Sequence, residues 1–570
     1  MGNARDGLPW LLASGIVLAG IFFVYPLFLN NPLVDPDEGL HAAIAQEMVE
    51  RGDWVTPSFL GEPFFDKPIL FSWTQALSLQ LFGMNEGASR LAGMLYGLLG
   101  TLTTGLIAWR MLGRATGAVA VVLYVSAVFP VALTQVASHD VALIPWINLA
   151  ILLFWEADRA TTRRGQLACT LGIGLALGLA CLTKGFVGVA LVGTAYGSYL
   201  LITRRLTVAA CLRGVGALTV ASLIASAWYI AMEGRHPGYL YYYFVERHLL
   251  GFATSTQRHA DEPFWFYFPI LLWGSLPWIT YLPVSLREWW LRRRESRSDT
   301  HAVGTDNGGL VLLVCWAIGC TLLLTMAKSK LVTYIWPVFP PLIILIAVGW
   351  GRLIEGRLTA SARKWLATNF CFSCLVGPLV LPIALLVAQK VLRCEFPWYV
   401  WGLGIAAASL SWVPLFIWRG GRAAEALAVG VFSVGAQFAV VMTFVGPPAA
   451  RMHSACDLAE YLNHHDNVPS RVLVVEERIG SLVFYLDPEL RAALRAEQLE
   501  PIRGREIANL AVHEPDALIA VPERRAKRVQ RHLDLTVAEG HPAGRYRLFS
   551  STELKAMQAT AAARSGSKRY

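Results

Sequence analysis

The sequence predicts an all-α polytopic membrane protein that carries a small α/β domain at its C-terminal end. Three observations carry that prediction. Of the 570 residues, 55% are hydrophobic and only 16% charged, where a soluble protein would carry roughly 25% charged residues. The shortage of charge extends over the first three quarters of the chain. Apolar runs of about twenty residues recur there, each long enough to cross a hydrocarbon core of about 30 Å. From about residue 447 the composition turns to that of a soluble domain.

The apolar runs fall near residues 9–30, 87–109, 115–136, 140–157, 166–183, 186–203, 208–231, 263–283, 309–327, 334–351, 365–388, 397–418 and 424–446, about thirteen in all. Alternate connections hold Arg110 and Arg114; Arg159, Arg163 and Arg164; Arg204 and Arg205; Arg287, Arg292, Arg293, Arg294 and Arg297; Arg352, Arg357, Arg363 and Lys364; Arg419 and Arg422. Basic residues concentrate in cytoplasmic loops. The net charge of +9 is therefore a topology signal, and it argues against nucleic acid as a partner. The first run lacks a basic leader and a small-residue cleavage site, so it reads as a retained span. With the amino terminus inside and an odd number of spans, the C-terminal domain, residues 447–570, is expected outside. The nine cysteines are scattered, mostly within spans. Cys371 and Cys374 form a C-x-x-C inside an apolar run without further ligands, which reads as buried small residues rather than a zinc or redox site.

Two outer connections are long, residues 31–86 and 232–262, and long loops in compact domains tend to carry function. In the first, Asp35, Pro36 and Glu38 match an N-cap, a first-turn proline and a capping-box acid. Leu40, Ile44 and Met48 then recur every four residues, and Gly52 supplies a stop. An amphipathic helix lying along the outer membrane face is expected. Residues 68–82 are apolar but too short to span comfortably, and read as a second interfacial helix. In the second connection, Tyr239-Leu-Tyr-Tyr-Tyr-Phe244 is expected to roof the membrane at headgroup level. In the C-terminal domain, residues 454–462 read as a capped helix, and residues 472–475, 482–485, 518–521 and 546–549 as short strands. That domain shows no catalytic motif, and the chain shows no internal repeat.

The charged residues of the outer connections are the candidates for chemistry. Acids in a first helical turn complement the dipole without further role, and Asp35 with Glu38 already accounts for the cap. Asp37 is then the acid that the cap does not require. Asp140, in Ser138-His139-Asp140, opens the fourth run on the same predicted side as Asp37, so a joint site is plausible. Lys67, Lys184, Arg247, Arg258, Lys328 and Lys330 also fall outside, against the usual charge bias. Each alone could snorkel at a helix end; together they suit a phosphate. His41, His236, His248 and His259 have no tight ligand spacing and allow at most a structural or adventitious divalent ion.

Asp37-Glu38 after the first span, followed some thirty residues on by Lys67-Pro68, resembles the polytopic glycosyltransferases of the GT-C fold. The resemblance is to the protein O-mannosyltransferase superfamily and its bacterial branch, which includes the lipid A aminoarabinose transferases. Asp140 before the fourth span, Leu182-Thr183-Lys184-Gly185, and the stretch from Tyr334 to Pro340 also look like features of that family. There are departures. Those transferases usually carry Arg-Tyr two and three places after their Asp-Glu, where this chain has Leu40 and His41, and a His commonly stands where Asp66 precedes Lys67.

What the resemblance implies is an inner-membrane enzyme that uses an undecaprenyl-phosphate sugar as donor and lipid A or a related envelope glycolipid as acceptor at the periplasmic face. Lys67, with Lys184, Lys330, Lys328, Tyr334 and Arg247, would hold the donor phosphate. Asp37 would act as general base or acceptor-positioning carboxylate, with Glu38 and Asp140 beside it. A phosphate leaves well, so no metal is required, and one displacement with inversion is expected. A protein Ser/Thr acceptor keeps the fold but demands a true base at Asp37. A transporter is the non-enzyme alternative, although transporters place ionisable groups near the midplane and show paired repeats.

Overall fold

The computed structural model describes residues 8–250, 262–298, 305–464, 469–494, 499–502, 517–525, 540–550 and 552–553. The chain divides into two compact units. The first comprises Met1–Leu29, Phe65–Phe71 and Arg90–Val445; the second comprises Asn30–Phe64, Ser72–Ser89 and Gly446–Tyr570.

The first unit is helical and makes this a multi-span membrane protein. Among the described residues, ten helices are long and apolar enough to cross a membrane, and two bent pairs raise the number to as many as twelve. The remaining predicted run, 186–203, forms Val187–Ile202, whose 16 residues fall short of that length. The bent pairs are Arg114–Tyr124 with Val128–Thr134, at 56°, and Tyr267–Gly274 with Trp278–Trp290, at 92°. Such breaks free backbone groups that have no water to bond in hydrocarbon. Here one backbone bond links the two breaks, Val128 N–H donating to the Leu276 carbonyl at 3.1 Å, and a side-chain bond joins them, Trp278 Nε1 donating to Ser126 Oγ at 3.1 Å.

Two packing devices fix the helices that deliver charged residues. Helix Arg163–Lys184 meets helix Val208–Arg235 through Gly174 and Gly178. A Cβ on either would lie within 3 Å of Val220 or Ile224, so the backbones approach as closely as small-xxx-small packing permits. Buried Asn148, on His139–Ala157, donates to Thr103 Oγ1 at 3.0 Å and Thr104 Oγ1 at 3.1 Å on helix Glu86–Leu112. Those bonds set the rotation of the helix whose first turn carries Asp140.

The second unit is α/β. Among the described residues its sheet has five strands in the order Leu499–Ile502, Arg471–Val475, Ala517–Pro522, Tyr546–Ser550, His541–Ala543; the first two neighbour pairs are parallel and the last two antiparallel. Val472 to Val475 are fully buried, as a strand covered on both faces requires. The strands expected at 472–475, 518–521 and 546–549 are present, and the helix expected at 454–462 appears as Cys456–Asn463; its N-cap is Ala455, without a side-chain cap, while Ser454 Oγ, one residue earlier, accepts from Cys456 N–H at 3.2 Å. The segment expected as a strand at 482–485 is instead helix Gly480–Tyr485. A run of four apolar residues is buried in either geometry, and the bonding of its first turn decides for the helix.

The helix expected after Asp35 spans Asp37–Arg51 and stops at Gly52, whose φ is +65°. Two details differ from the sequence reading. Its buried residues include Glu38, His41 and Gln46 besides the apolar ones, so it is covered on more than one side rather than amphipathic. Asp35 does not cap it. The Asp35 carboxylate bonds Ser481 instead, and Glu38 Oε2 accepts from Val34 N–H at 2.8 Å.

Candidate active site

The first unit holds a cavity of about 1110 Å³, open mouth included, lined by Asp66, Lys67, Asp140, Lys184, Arg247 and Tyr334 together with apolar side chains. Four segments supply the polar groups. The loop before helix Leu70–Phe82 brings Asp66 and Lys67; the first turn of His139–Ala157 brings Asp140. Lys184 is the last residue of its helix. Tyr334 sits on the 3₁₀ segment Val332–Val338, which is fixed where buried Trp336 Nε1 donates to Tyr124 Oη at 3.1 Å.

The charges are paired unevenly. Lys184 Nζ bonds Asp140 and lies 4.0 Å from the centroid of the Tyr334 ring, a cation–π contact. Arg247 Nη2 lies 3.0 Å from Asp66 Oδ2, and Tyr242 Oη donates to Asp66 Oδ1 at 2.9 Å. Three cations thus face two carboxylates. Among the described residues, no ion pair or hydrogen bond engages the Lys67 ammonium. Burial, reinforced by Lys184 and Arg247 and opposed by Asp140 and Asp66, lowers its pKa from 10.5 to about 8. An anion entering the cavity would restore the missing partner.

Local backbone explains the shape of the wall. Gly185, at φ +72°, ends the Lys184 helix, and a Cβ there would lie 2.8 Å from Tyr243 Oη and 2.9 Å from His248 Nε2. Glycine is required on both counts. It lets the π-helical segment Tyr241–Leu250 close against the end of the helix and bring Tyr243, Arg247 and His248 into the lining. His248 Nδ1 lies 2.7 Å from the Tyr243 carbonyl, and burial lowers the imidazole pKa.

Asp37 and Glu38 belong to the second unit. Asp37 is exposed at the start of its helix and Glu38 is buried. The strand of chain just before them is tightly bonded within the unit. Asp35 N–H donates to the His453 carbonyl at 2.9 Å; Leu33 N–H donates to Tyr485 Oη at 2.8 Å, and that hydroxyl donates to Glu86 at 2.9 Å.

Of the cations read from the sequence, Lys67, Lys184 and Arg247 share the cavity. Lys330 is buried and donates to the Glu262 carbonyl at 3.0 Å; Lys328 is exposed, and neither lines the cavity. Arg258 and His259 lie outside the described residues. Among the described residues, no group of three or more His, Cys, Asp or Glu is arranged to hold a metal ion. His236 instead packs edge-on to Phe65, and His41 to Phe64. Asp66 and Tyr243 enter the lining although the sequence does not single them out as site residues, and His248, a candidate only for an ion, joins them. Asp66 carried a signal, its place directly before Lys67. Tyr243 was hidden in an aromatic run that reads as a membrane anchor.

The chain is similar to known proteins. Residues 34–233 match the dolichyl-phosphate-mannose-protein mannosyltransferase family. Undecaprenyl phosphate-α-4-amino-4-deoxy-L-arabinose arabinosyl transferase from Edwardsiella ictaluri is 35% identical over 362 residues, 63% of this chain and 62% of that protein. Its namesake numbered 2 from Proteus mirabilis is 31% identical over 402 residues, 70% of each chain. The match thus spans less than two thirds of the length of the Edwardsiella protein and more than two thirds of the Proteus one. Among solved structures, ArnT from Cupriavidus metallidurans bound to undecaprenyl phosphate superposes with a TM-score of 0.73 at 21% identity, covering 95% of this chain and 98% of that one. An archaeal oligosaccharyltransferase from Archaeoglobus fulgidus reaches 0.52 at 12% identity, covering 91% and 69%. These two likenesses are of fold.

Proposed function

Because the chain belongs to the family of undecaprenyl phosphate-aminoarabinose arabinosyl transferases, we propose that it moves 4-amino-4-deoxy-L-arabinose from an undecaprenyl-phosphate donor to lipid A. The observation that carries this reading is the Lys67 ammonium, without an ion pair among the described residues, in a cavity where three cations face two carboxylates. Such a site is one charge short of balance and suits a phosphodiester.

The other walls suit the rest of the donor. Leu143 and Leu191 are buried, and Val187, Leu323 and Leu324 join them in the lining. An isoprenoid chain needs an apolar surface of this kind. In the reaction, the anomeric carbon–oxygen bond to the phosphate breaks as an acceptor oxygen forms the new bond, with inversion. The electron pair leaves with undecaprenyl phosphate. Lys67 and Arg247 would stabilise the charge that grows on the leaving phosphate, and Tyr334 would steady Lys184 through its ring face. Asp140 acts through Lys184 by holding its ammonium. Asp37 is assigned the acceptor side, as base or as orienting carboxylate. An acceptor phosphate on lipid A is already anionic and needs little base catalysis. The proposed orientation puts the N-terminus in the cytoplasm and the reaction at the periplasmic face.

Purified protein in lipid nanodiscs, given undecaprenyl-phosphate aminoarabinose and lipid A, should release undecaprenyl phosphate as lipid A gains one aminopentose by mass. Lys67→Ala and Asp37→Asn should each lower turnover by about 10²-fold to 10³-fold, the loss typical of a removed charge-stabilising donor. Unchanged turnover in either variant removes that residue from the proposed reaction. Sugar appearing on Ser or Thr of a peptide, with lipid A untouched, would move the acceptor to protein. No released lipid phosphate with any acceptor would favour a transporter.

A further inference from the structure

The Asp37 assignment leaves unexplained how an exposed carboxylate on the first turn of a helix would be held still enough to orient a substrate. Its own helix offers little. The residue before it is Pro36, and no side chain caps the N-terminus. The restraint comes from helix Gly480–Tyr485 in the same unit. Ser481, fully buried, donates its backbone N–H to Asp35 Oδ1 at 2.9 Å and its hydroxyl to Asp35 Oδ2. The Ser481 Oγ in turn accepts from Ala455 N–H at 2.8 Å, which fixes the hydroxyl rotor.

The backbones touch as well. A Cβ on Gly39 would lie 2.3 Å from Ser481 N, and one on Gly480 would lie 2.2 Å from Leu40 N. Two glycines face each other across a contact that admits no side chain on either side. Asp37 therefore sits between two clamped positions, Asp35 two residues before it and Gly39 two residues after it.

We propose that Ser481 is a positioning residue for Asp37, gripping the Asp35 carboxylate and seating the Gly39 turn so that the acceptor-side acid is held in one place. The C-terminal domain, which carries no catalytic motif of its own, then serves the reaction by immobilising the acidic loop. This inference rests on the role proposed above for Asp37. Loss of a clamp that leaves chemistry intact but lets a reacting group wander by about 1 Å costs on the order of 10²-fold in rate.

A pH signature accompanies the contact. Burial raises Asp35 to about 6 against the two Ser481 hydrogen bonds, which favour its ionised form; Arg545 lowers it and Glu477 raises it, and the neighbouring Tyr546 hydroxyl is itself pushed up by burial. Removing the Ser481 hydroxyl takes away a bond to the ionised form, so the Asp35 pKa rises further.

The test compares Ser481→Ala and Ser481→Thr with Asp37→Asn and the unsubstituted protein in nanodiscs. It reads kcat, KM for the donor and binding of undecaprenyl phosphate across pH 5–8. Ser481→Ala should lower kcat by about 10²-fold, leave undecaprenyl phosphate affinity within about twofold, and move the acidic limb of kcat to higher pH. Ser481→Thr, which keeps the hydroxyl, should restore most of the rate. Unchanged kcat in Ser481→Ala, with Asp37→Asn inactive, overturns the inference and leaves the proposed function standing. Equal loss of kcat and of undecaprenyl phosphate binding also overturns it, since the contact would then hold the fold rather than the acid. Full activity in Asp37→Asn refutes the parent reading instead.

Discussion

The cavity of the first unit and the acidic loop of the second hold their charged residues in opposite ways. In the cavity, charges hold charges. Lys184 leans on Asp140 and the Tyr334 ring, Arg247 on Asp66, and Lys67 has no ion pair among the described residues. In the loop, backbone holds backbone: Gly39 lies against Ser481 and Gly480 against Leu40, and the Asp35 carboxylate closes the contact. The difference teaches what each arrangement is good for. Ion pairs can be exchanged for a ligand that carries the same charge, because a phosphate can replace a carboxylate at a guanidinium. A glycine contact has nothing to exchange and serves to fix position.

The comparison breaks most visibly if one partner of a cavity ion pair is removed. Asp140→Ala would leave the Lys184 ammonium, with a side chain only 10% exposed, without its carboxylate. Stranding a buried charge costs about 3–5 kcal/mol. The melting temperature of the purified protein should fall, and the double variant Asp140→Ala with Lys184→Met should recover much of the loss. Equal stability of the single and double variants would mean that the pair is not held by mutual charge.

Gly39→Ala probes the other unit. A methyl 2.3 Å from Ser481 N forces the two segments apart, and overpacking of this kind costs about 1–3 kcal/mol. Thermal unfolding should report it, and Gly39→Ala should also release the Asp35 contact. An alanine tolerated without loss would show that the contact is loose and that position is not what it protects.

The smallest effect is the pH response of Lys67, and it sharpens the contrast by its two signs. With a pKa of about 8 in the folded state against 10.5 in the unfolded chain, the unfolded state binds more protons between those values. The contribution of Lys67 to stability therefore rises with pH across that window. Affinity for an anionic headgroup moves the other way, since the neutral amine above pH 8 offers no charge. Binding of undecaprenyl phosphate should weaken by up to about tenfold per pH unit above 8. Lys67→Arg, whose guanidinium stays charged, should flatten that limb. A limb that persists in the arginine variant would belong to another group.

Much of this molecule was legible in advance. Every apolar run is helical, two of them as bent pairs, because a stretch of about twenty residues without charge has few alternatives in hydrocarbon. Lys67, Lys184 and Asp140 stood out because an ionisable group beside apolar helices is costly to keep. The count of spans was less secure. The 16 residues of Val187–Ile202 pass every composition test and fail only on length. The two bends between 114 and 134 and between 267 and 290 depend on breaks that hydropathy averages over.

Composition and periodicity by themselves determined the membrane-spanning body, the α/β character of the C-terminal part and the residue types available to bind a phosphate. These follow from local rules, since an apolar run or an alternating strand obeys them wherever it lies in the chain. Tertiary structure alone decided which charges pair, that Arg247 spends itself on Asp66 while Lys67 is left with no ion pair among the described residues, and that Asp35 reaches Ser481, 446 positions away, instead of capping its own helix. A carboxylate takes whatever donor folding brings within 3 Å, and sequence distance puts no limit on where that donor comes from.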